Sequence, residues 1–174
     1  LVDNALAIGS PCILATDSGD GEPDIGYKGS MMVFDPESLA YWERTKRVHL
    51  KNVKENPRVI VLFRDAKTKA AWRFHGTATL HEDGPIRDQV MGRTVKEELD
   101  KDPERKGAAV VIRLDKITNM GGQVLSSRKI EATRRCRRNC FYPLRNRRSL
   151  TTHRHRPHPR QPKTQAVLRI PYLQ

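Results

Sequence analysis

Residues 26–47 read GYKGSMMVFDPESLAYWERTKR, and the way this stretch folds decides the architecture. Its middle is apolar, β-branched or aromatic, and Asp35-Pro36-Glu37-Ser38 interrupts it. Proline presets the backbone angle that a tight turn needs, so the stretch is expected to form a hairpin, with strands over 25–34 and 39–42. The hairpin's entrance carries Lys28-Gly29-Ser30 and its exit carries Arg44-Thr45-Lys46-Arg47. Two basic clusters on neighbouring strands pose the question of which anion they meet.

Upstream, Val2–Ile8 has a short helical pattern closed by Gly9. Ile13–Thr16 reads as a strand, and DSGDGEPD at 17–24 as turn. Downstream, Thr45 is placed as a helix N-cap, because its hydroxyl can accept from an unpaired first-turn amide. Val48, Leu50 and Val53 then give a short amphipathic helix that must stop before Pro57. VIVLF at 59–63 is a continuous β-branched run and reads as a buried strand, and AKTK as a turn. Ala71–Leu80 suits a long half-buried strand. Residues 84–102 form the strongest helix pattern, with Ile86, Val90, Val95 and Leu99 near one stripe, Pro85 at the start and Pro103 beyond the end. Residues 108–120 give the last strong strand, and GGQVL a short one after it.

This order predicts a mainly β domain of the α+β kind: an antiparallel barrel or curled sheet of about six strands with flanking helices.

Charge divides the chain. Residues 1–120 carry 19 Lys and Arg against 19 Asp and Glu, whereas 121–174 carry 14 basic residues and one acid, Glu131, the whole excess of +13. A basic protein of this kind would ordinarily suggest nucleic acid or an anionic membrane. Here the excess belongs to the last third alone. Residues 1–130 therefore read as one balanced domain, and 131–174 as a basic Arg/His/Pro-rich tail, disordered or not native to the domain. Three cysteines are too few for a disulfide framework. No apolar run approaches the roughly 20 residues of a membrane span, and no signal-peptide pattern is visible, so the expected location is cytoplasmic.

The tail contains Cys136-x3-Cys140-x12-His153-x4-His158, the spacing of a Cys-Cys-His-His zinc finger. Pro157 would break the helix that must carry both histidines, Pro143 intrudes before it, and no aromatic precedes Cys136. The reading is that no metal binds there. Nucleic-acid binding through this tail is kept as an alternative function.

At the hairpin's exit, the first-turn amides of the following helix and its dipole favour a negative group, and Arg44, Thr45 and Arg47 add hydrogen-bond donors at the same point. Gly29 inside a strand is a mark of close approach by a ligand. A phosphate gripped from two sides is one reading, and a solvated charged hairpin end is the other.

Taken together, GYKGSMMVFD, LAYWERTKR, NVKENPRVIVLF and WRFHGTATL, in this order and spacing, resemble the pyridoxamine 5′-phosphate oxidase-like family of FMN-binding split β-barrels over about residues 1–128. The resemblance implies a homodimer with FMN at the subunit interface. It places the phosphate on Arg44, Thr45 and Arg47, with His49 and Asn52 as further candidates, and the flavin ring beside Lys28, Gly29, Ser30 and Met31. The function implied is an FMN-binding oxidoreductase acting on a small molecule. The alternative is a flavin-binding or storage protein without turnover. Deazaflavin and haem are the other cofactors that relatives of this barrel use. YKGSMM stands where the oxidases carry an Arg-to-Lys strand signature, and their C-terminal Trp and Arg motif is missing, which argues against pyridoxamine phosphate as substrate.

No acid–base pair stands out, in keeping with flavin chemistry, where the cofactor supplies the reactivity. Trp42 and Trp72 are candidates to flank a flavin, although hairpin aromatics are more often core. Arg73 either reaches the phosphate or faces solvent. His75 and His81 read as structural, and Asp115 and Lys116 as an ordinary charged strand end.

Overall fold

The computed structural model describes residues 10–128. The helical pattern at 2–8 and the tail at 131–174, with Cys136, Cys140, His153 and His158, lie outside the described residues.

The elements in chain order are β1 (Cys12–Asp17), β2 (Pro23–Lys28), β3 (Met32–Asp35), β4 (Ser38–Glu43), α1 (Val48–Glu55), β5 (Arg58–Arg64), β6 (Ala71–His81), α2 (Gly84–Arg93), α3 (Lys96–Leu99), β7 (Ala108–Asn119) and β8 (Val124–Ser127). Every strand pair is antiparallel, and the sheet order is β2-β1-β5-β6-β7-β4-β3, with β8 on β7.

β2 and β3 are the two ends of that order, yet only residues 29–31 separate them in the chain. A link of three residues reaches at most roughly 14 Å between the flanking Cα atoms. The sheet must therefore curl until its ends face each other. They do not pair, so the result is an open, split barrel rather than a closed one.

The single strand expected over 25–34 is thus two strands, with a turn at Gly29-Ser30 between them, and the described strands number eight rather than about six. The Ser30 side chain explains the break. Its Oγ accepts from Trp42 N at 3.1 Å and donates to Trp42 O at 3.2 Å, taking the place of a strand partner where β3 leaves β4. The β3–β4 hairpin itself closes as expected, with Asp35 Oδ1 accepting from Glu37 N at 2.7 Å.

The barrel interior is filled by Leu14, Met31, Leu39, Tyr41, Val61, Phe63, Phe74, Val110, Ile112, Leu114 and Ile117. On the outer face, Val90 of α2 packs on Met32, Ala40 and Ala109. β4 is consequently buried on both faces, which is why its sequence reads as a continuous apolar run. β5 differs from expectation. Val59, Val61 and Phe63 face the core, while Ile60 turns outward, so its apolar run is only half buried.

The helix expected over 84–102 is interrupted. α2 ends at Arg93, and Thr94 takes an extended backbone with ψ 134° while its hydroxyl donates back to Val90 O at 2.8 Å. Consecutive β-branched residues at 94 and 95 fit that break, because they crowd a helical turn and side-chain back-bonding competes with its ladder.

Candidate functional site

The two basic clusters of residues 26–47 meet at the seam of the barrel, and the anion between them is the chain's own Glu43. Lys28, at the end of β2, pairs through Nζ with Glu43 Oε2 at the end of β4. Thr45 donates to Glu43 Oε1 from its backbone N at 2.9 Å and its Oγ1 at 2.7 Å. Glu43 is only 2% exposed. Burial pushes its carboxyl up, but the Lys28 charge and the hydrogen bonds from Lys28 and Thr45 together hold it below the usual carboxylate range.

Thr45 is therefore not the N-cap expected of it. α1 starts at Val48, Arg47 occupies the cap position without a side-chain cap hydrogen bond, and the Thr45 hydroxyl is spent on Glu43. The chain turns from β4 into α1 through Lys46, whose φ of +48° lies in the left-handed region that costs a non-glycine residue about 1 kcal/mol.

Above the seam lies a cleft of about 550 Å³, lined by the ends of β2 and β4, the 44–47 loop, the start of α1 and the α3 segment. That volume is within the range of small-molecule sites, roughly 300–1,000 Å³. Lys28, Gly29, Ser30, Arg44, Thr45, Arg47 and His49 all line it. Met31 and Asn52 do not. Met31 is fully buried in the barrel core, and the buried Asn52 donates its Nδ2 to Thr16 Oγ1 at 3.1 Å.

His49 lies along one wall, against Gly26 of β2. A Cβ at position 26 would stand 2.3 Å from His49 Cε1, so only glycine leaves room for the ring. His49 Nε2 is 3.3 Å from Asp24 Oδ2 but makes no hydrogen bond there. Burial and the Lys28 charge lower the His49 pKa, with Asp24 and Glu43 offsetting them only in part. The ring is mostly neutral near pH 7.

The opposite wall comes from Trp42, one of the two tryptophans the sequence offered, and from Glu98 and Lys101, which sequence reasoning did not single out. Trp42 lines the cleft, held by its Nε1 donating to Asp102 Oδ2 at 3.0 Å and by Arg87 stacked 4.9 Å over its ring. Glu98 and Lys101 complete the wall. Glu98 Oε2 lies 3.7 Å from Arg44 Nε, and its Oε1 accepts from Lys101 Nζ at 2.8 Å. Arg47, by contrast, has no carboxylate partner among the described residues.

The remaining candidates lie elsewhere. Trp72 stacks on Phe63 with centroids 6.1 Å apart and packs against the core, so of the two tryptophans only Trp42 faces the cleft. Arg73 donates to Met120 O, and His75 contacts Thr118 Oγ1 at 3.4 Å. Asp115 accepts from Thr77 Oγ1 at 3.3 Å. Cys12 is buried and its thiol is pushed up to about 12, which leaves it unreactive. Among the described residues no three His, Cys, Asp or Glu side chains gather as a metal site, and no helix is long and apolar enough to cross a membrane.

Comparison with known proteins agrees with this fold. The sequence family described as pyridoxamine 5′-phosphate oxidase matches residues 6–118. A candidate pyridoxamine 5′-phosphate oxidase from Lactobacillus delbrueckii is 29% identical, with a TM-score of 0.55, over 67% of this chain and 89% of that one. HupZ from Group A Streptococcus superposes with a TM-score of 0.55 at 24% identity, over 70% of this chain and 94% of that one. An FMN-binding protein from Syntrophomonas wolfei shares the fold, with a TM-score of 0.54 at 16% identity, over 68% of this chain and 83% of that one. The curated proteins gave no match. From the split sheet, the seam cleft and the matched span, we conclude that the chain belongs to the pyridoxamine 5′-phosphate oxidase family.

Proposed function

We propose that the seam cleft holds FMN and that the protein is an FMN-binding oxidoreductase acting on a small molecule. The observation that carries this reading is the cationic lip at the start of α1: Arg44 and Arg47 stand at the mouth of the cleft beside the Val48 and His49 amides, which have no acceptor within the helix, whereas those of Leu50 and Lys51 donate to Arg47 O. A guanidinium offers two-pronged donation to phosphate oxygens, and Arg47 has no competing carboxylate among the described residues.

The residues fit such a ligand unevenly. Arg44 and Arg47 are assigned to the phosphate. Thr45 and Ser30 have their hydroxyls engaged by Glu43 and Trp42, so they shape the walls and are not primary ligands. Lys28 keeps two N–H donors beyond the one on Glu43, and is assigned with Gly29 to the ring side. Trp42 and His49 are the flat side chains that would flank a ring and exclude water. Bound FMN supplies the electron or hydride transfer, and the chain supplies binding, orientation and charge.

The outer face of β2 continues the cleft wall with Tyr27, 75% exposed, and Ile25, 69% exposed. In register beside them stand Ile13 and Ala15 of β1, and then Leu62 and Ile60 of β5. This apolar strip is assigned to a second copy of the chain, which makes a homodimer with the cleft at its margin.

The test is to purify the full chain, incubate it with FMN, desalt it and record its visible spectrum and its mass by light scattering. Retained flavin on a dimer that reoxidises with an acceptor after chemical reduction is the expected result. Retained flavin without turnover favours the storage role, and a colourless protein rejects the reading.

A further inference from the structure

Building on the reading of the seam cleft as an oxidoreductase site, we propose that His49 is its catalytic proton acceptor, taking a proton at Nδ1 from a substrate O–H or N–H, with Asp24 as the residue that positions it. The alternation of β2 makes the arrangement. Residues two apart share a face of a strand, so Asp24, Gly26 and Lys28 point one way, while the largely exposed Ile25 and Tyr27 point the other. The His49 ring sits on Gly26, in the space a Cβ would fill, with Asp24 on one side of it along the strand and Lys28 on the other.

The two ring nitrogens have different surroundings. Nε2 is buried without a hydrogen bond and lies 3.3 Å from Asp24 Oδ2, the one carboxylate oxygen within ion-pair distance of it among the described residues. A lone pair directed at a carboxylate would be repelled, so Nε2 carries the proton of the neutral ring and the lone pair is on Nδ1. Asp24 keeps 40% of its side chain exposed, so it can turn the little that a straight Nε2–H···O bond requires. Nδ1 has no partner among the described residues and is not fully buried, and the ring lines the cleft. An imidazole with one nitrogen held by an acid and the other open to a ligand is set up for proton transfer.

The charges facing the ring are Asp24 and Lys28 of β2 and Glu43 of β4. Burial and Lys28 keep the ring neutral near pH 7 and ready to accept, while Asp24 and Glu43 favour the imidazolium once it forms. In the transfer, the substrate O–H or N–H bond breaks with its electron pair left on the oxygen or nitrogen, and the proton bonds to Nδ1. That proton then leaves to solvent from the accessible part of the ring. The anion it leaves behind lies in a cleft that Lys28, Arg44 and Arg47 also line. The substrate class is therefore one that reacts through its deprotonated form.

The experiment follows the nitrogens of isotopically labelled histidines by NMR across pH in the full chain, with and without saturating FMN, His49→Gln supplying the assignment. In parallel, diethyl pyrocarbonate, which acylates unprotonated imidazole nitrogens, is mapped onto the chain by mass spectrometry. Wild type is expected to show His49 with Nε2–H and a bare Nδ1 above its midpoint, and to be acylated there whether or not FMN is bound. Asp24→Ala should turn that single tautomer into a mixture and lower the midpoint, at a melting temperature close to wild type because Asp24 is half exposed. A proton on Nδ1 in wild type overturns the proposal whatever the variant does, and so does a tautomer indifferent to Asp24→Ala. Titration and acylation that cease when FMN binds also overturn it, and make His49 a cofactor contact. A chain that retains no flavin overturns the oxidoreductase reading instead, and the tautomer and acylation of the same sample still decide whether His49 is a base.

Discussion

Lys28 and Glu43 form an ion pair across the split of the barrel, joining the ends of β2 and β4, two strands that are not neighbours in the sheet. With the Ser30 hydroxyl on the Trp42 backbone, this pair closes a seam that has no strand ladder.

Removing one member of that pair leaves a buried charge unpaired. Glu43→Gln is expected to lose about 3 kcal/mol or more of stability, measured by urea denaturation at neutral pH. The folded Glu43 pKa is depressed, so its contribution is present above the unfolded value, about 4.3, and lost as pH falls through the folded one. The acid limb of the stability profile should therefore be shallower in Glu43→Gln. A double change to Lys28→Met and Glu43→Leu should recover much of the loss, since no charge is then stranded.

Two histidines should titrate low for different reasons. Burial and the Lys28 charge depress His49, while burial and the charges of Lys116, Arg73 and Arg58 depress His75. Both folded values lie below the unfolded one of about 6.5. Their contribution to stability is full above that pH and falls away as pH drops through the folded values, because the unfolded chain takes up protons first. In an NMR titration, Lys28→Met should raise the His49 midpoint and leave His75 alone. Equal movement of both would contradict the assignment.

Asp102 holds three donors from the cleft wall, Trp42 Nε1, Lys106 N and Gly107 N. Asp102→Ala should cost about 2–3 kcal/mol by leaving buried donors unpaired, and Asp102→Asn less, because one carbonyl acceptor remains. Tryptophan fluorescence during unfolding reads the same change locally, since Trp42 is the ring released.

Gly26→Ala should displace His49, whose ring occupies the space a Cβ needs. Overpacking of this kind costs about 1–3 kcal/mol. The expected signature is a changed His49 imidazole shift together with weaker FMN binding. A variant with wild-type stability and an unmoved His49 would show that β2 gives way instead.

Much of this fold was legible. The β3–β4 hairpin followed from apolar residues around Pro36, α1 from Leu50 and Val53 before Pro57, and β7 from its β-branched run. The break at Gly29-Ser30 was not, because Met31, Met32 and Val33 carry the apolar pattern straight on, and the Trp42 backbone that holds Ser30 lies on another strand. The break at Thr94-Val95 did leave a local signal in two adjacent β-branched residues. In the cleft, the proximity of Lys28, Arg44, Thr45, Arg47 and His49 could be anticipated from their order. The carboxylates could not. Glu43 reads as one acid beside a basic run, and Glu98 sits 54 residues beyond Arg44, so their roles emerge only once the sheet curls and α3 packs against its end.

The most direct measurement is the dissociation constant of FMN, with riboflavin as control, for the wild-type chain and for the double variant Arg44→Ala with Arg47→Ala. Loss of two charge-assisted phosphate contacts should weaken FMN by about a hundredfold or more. Riboflavin, which lacks the phosphate, should bind both proteins alike. Unchanged FMN affinity in the double variant, or an equal loss for riboflavin, would contradict a phosphate site at the start of α1.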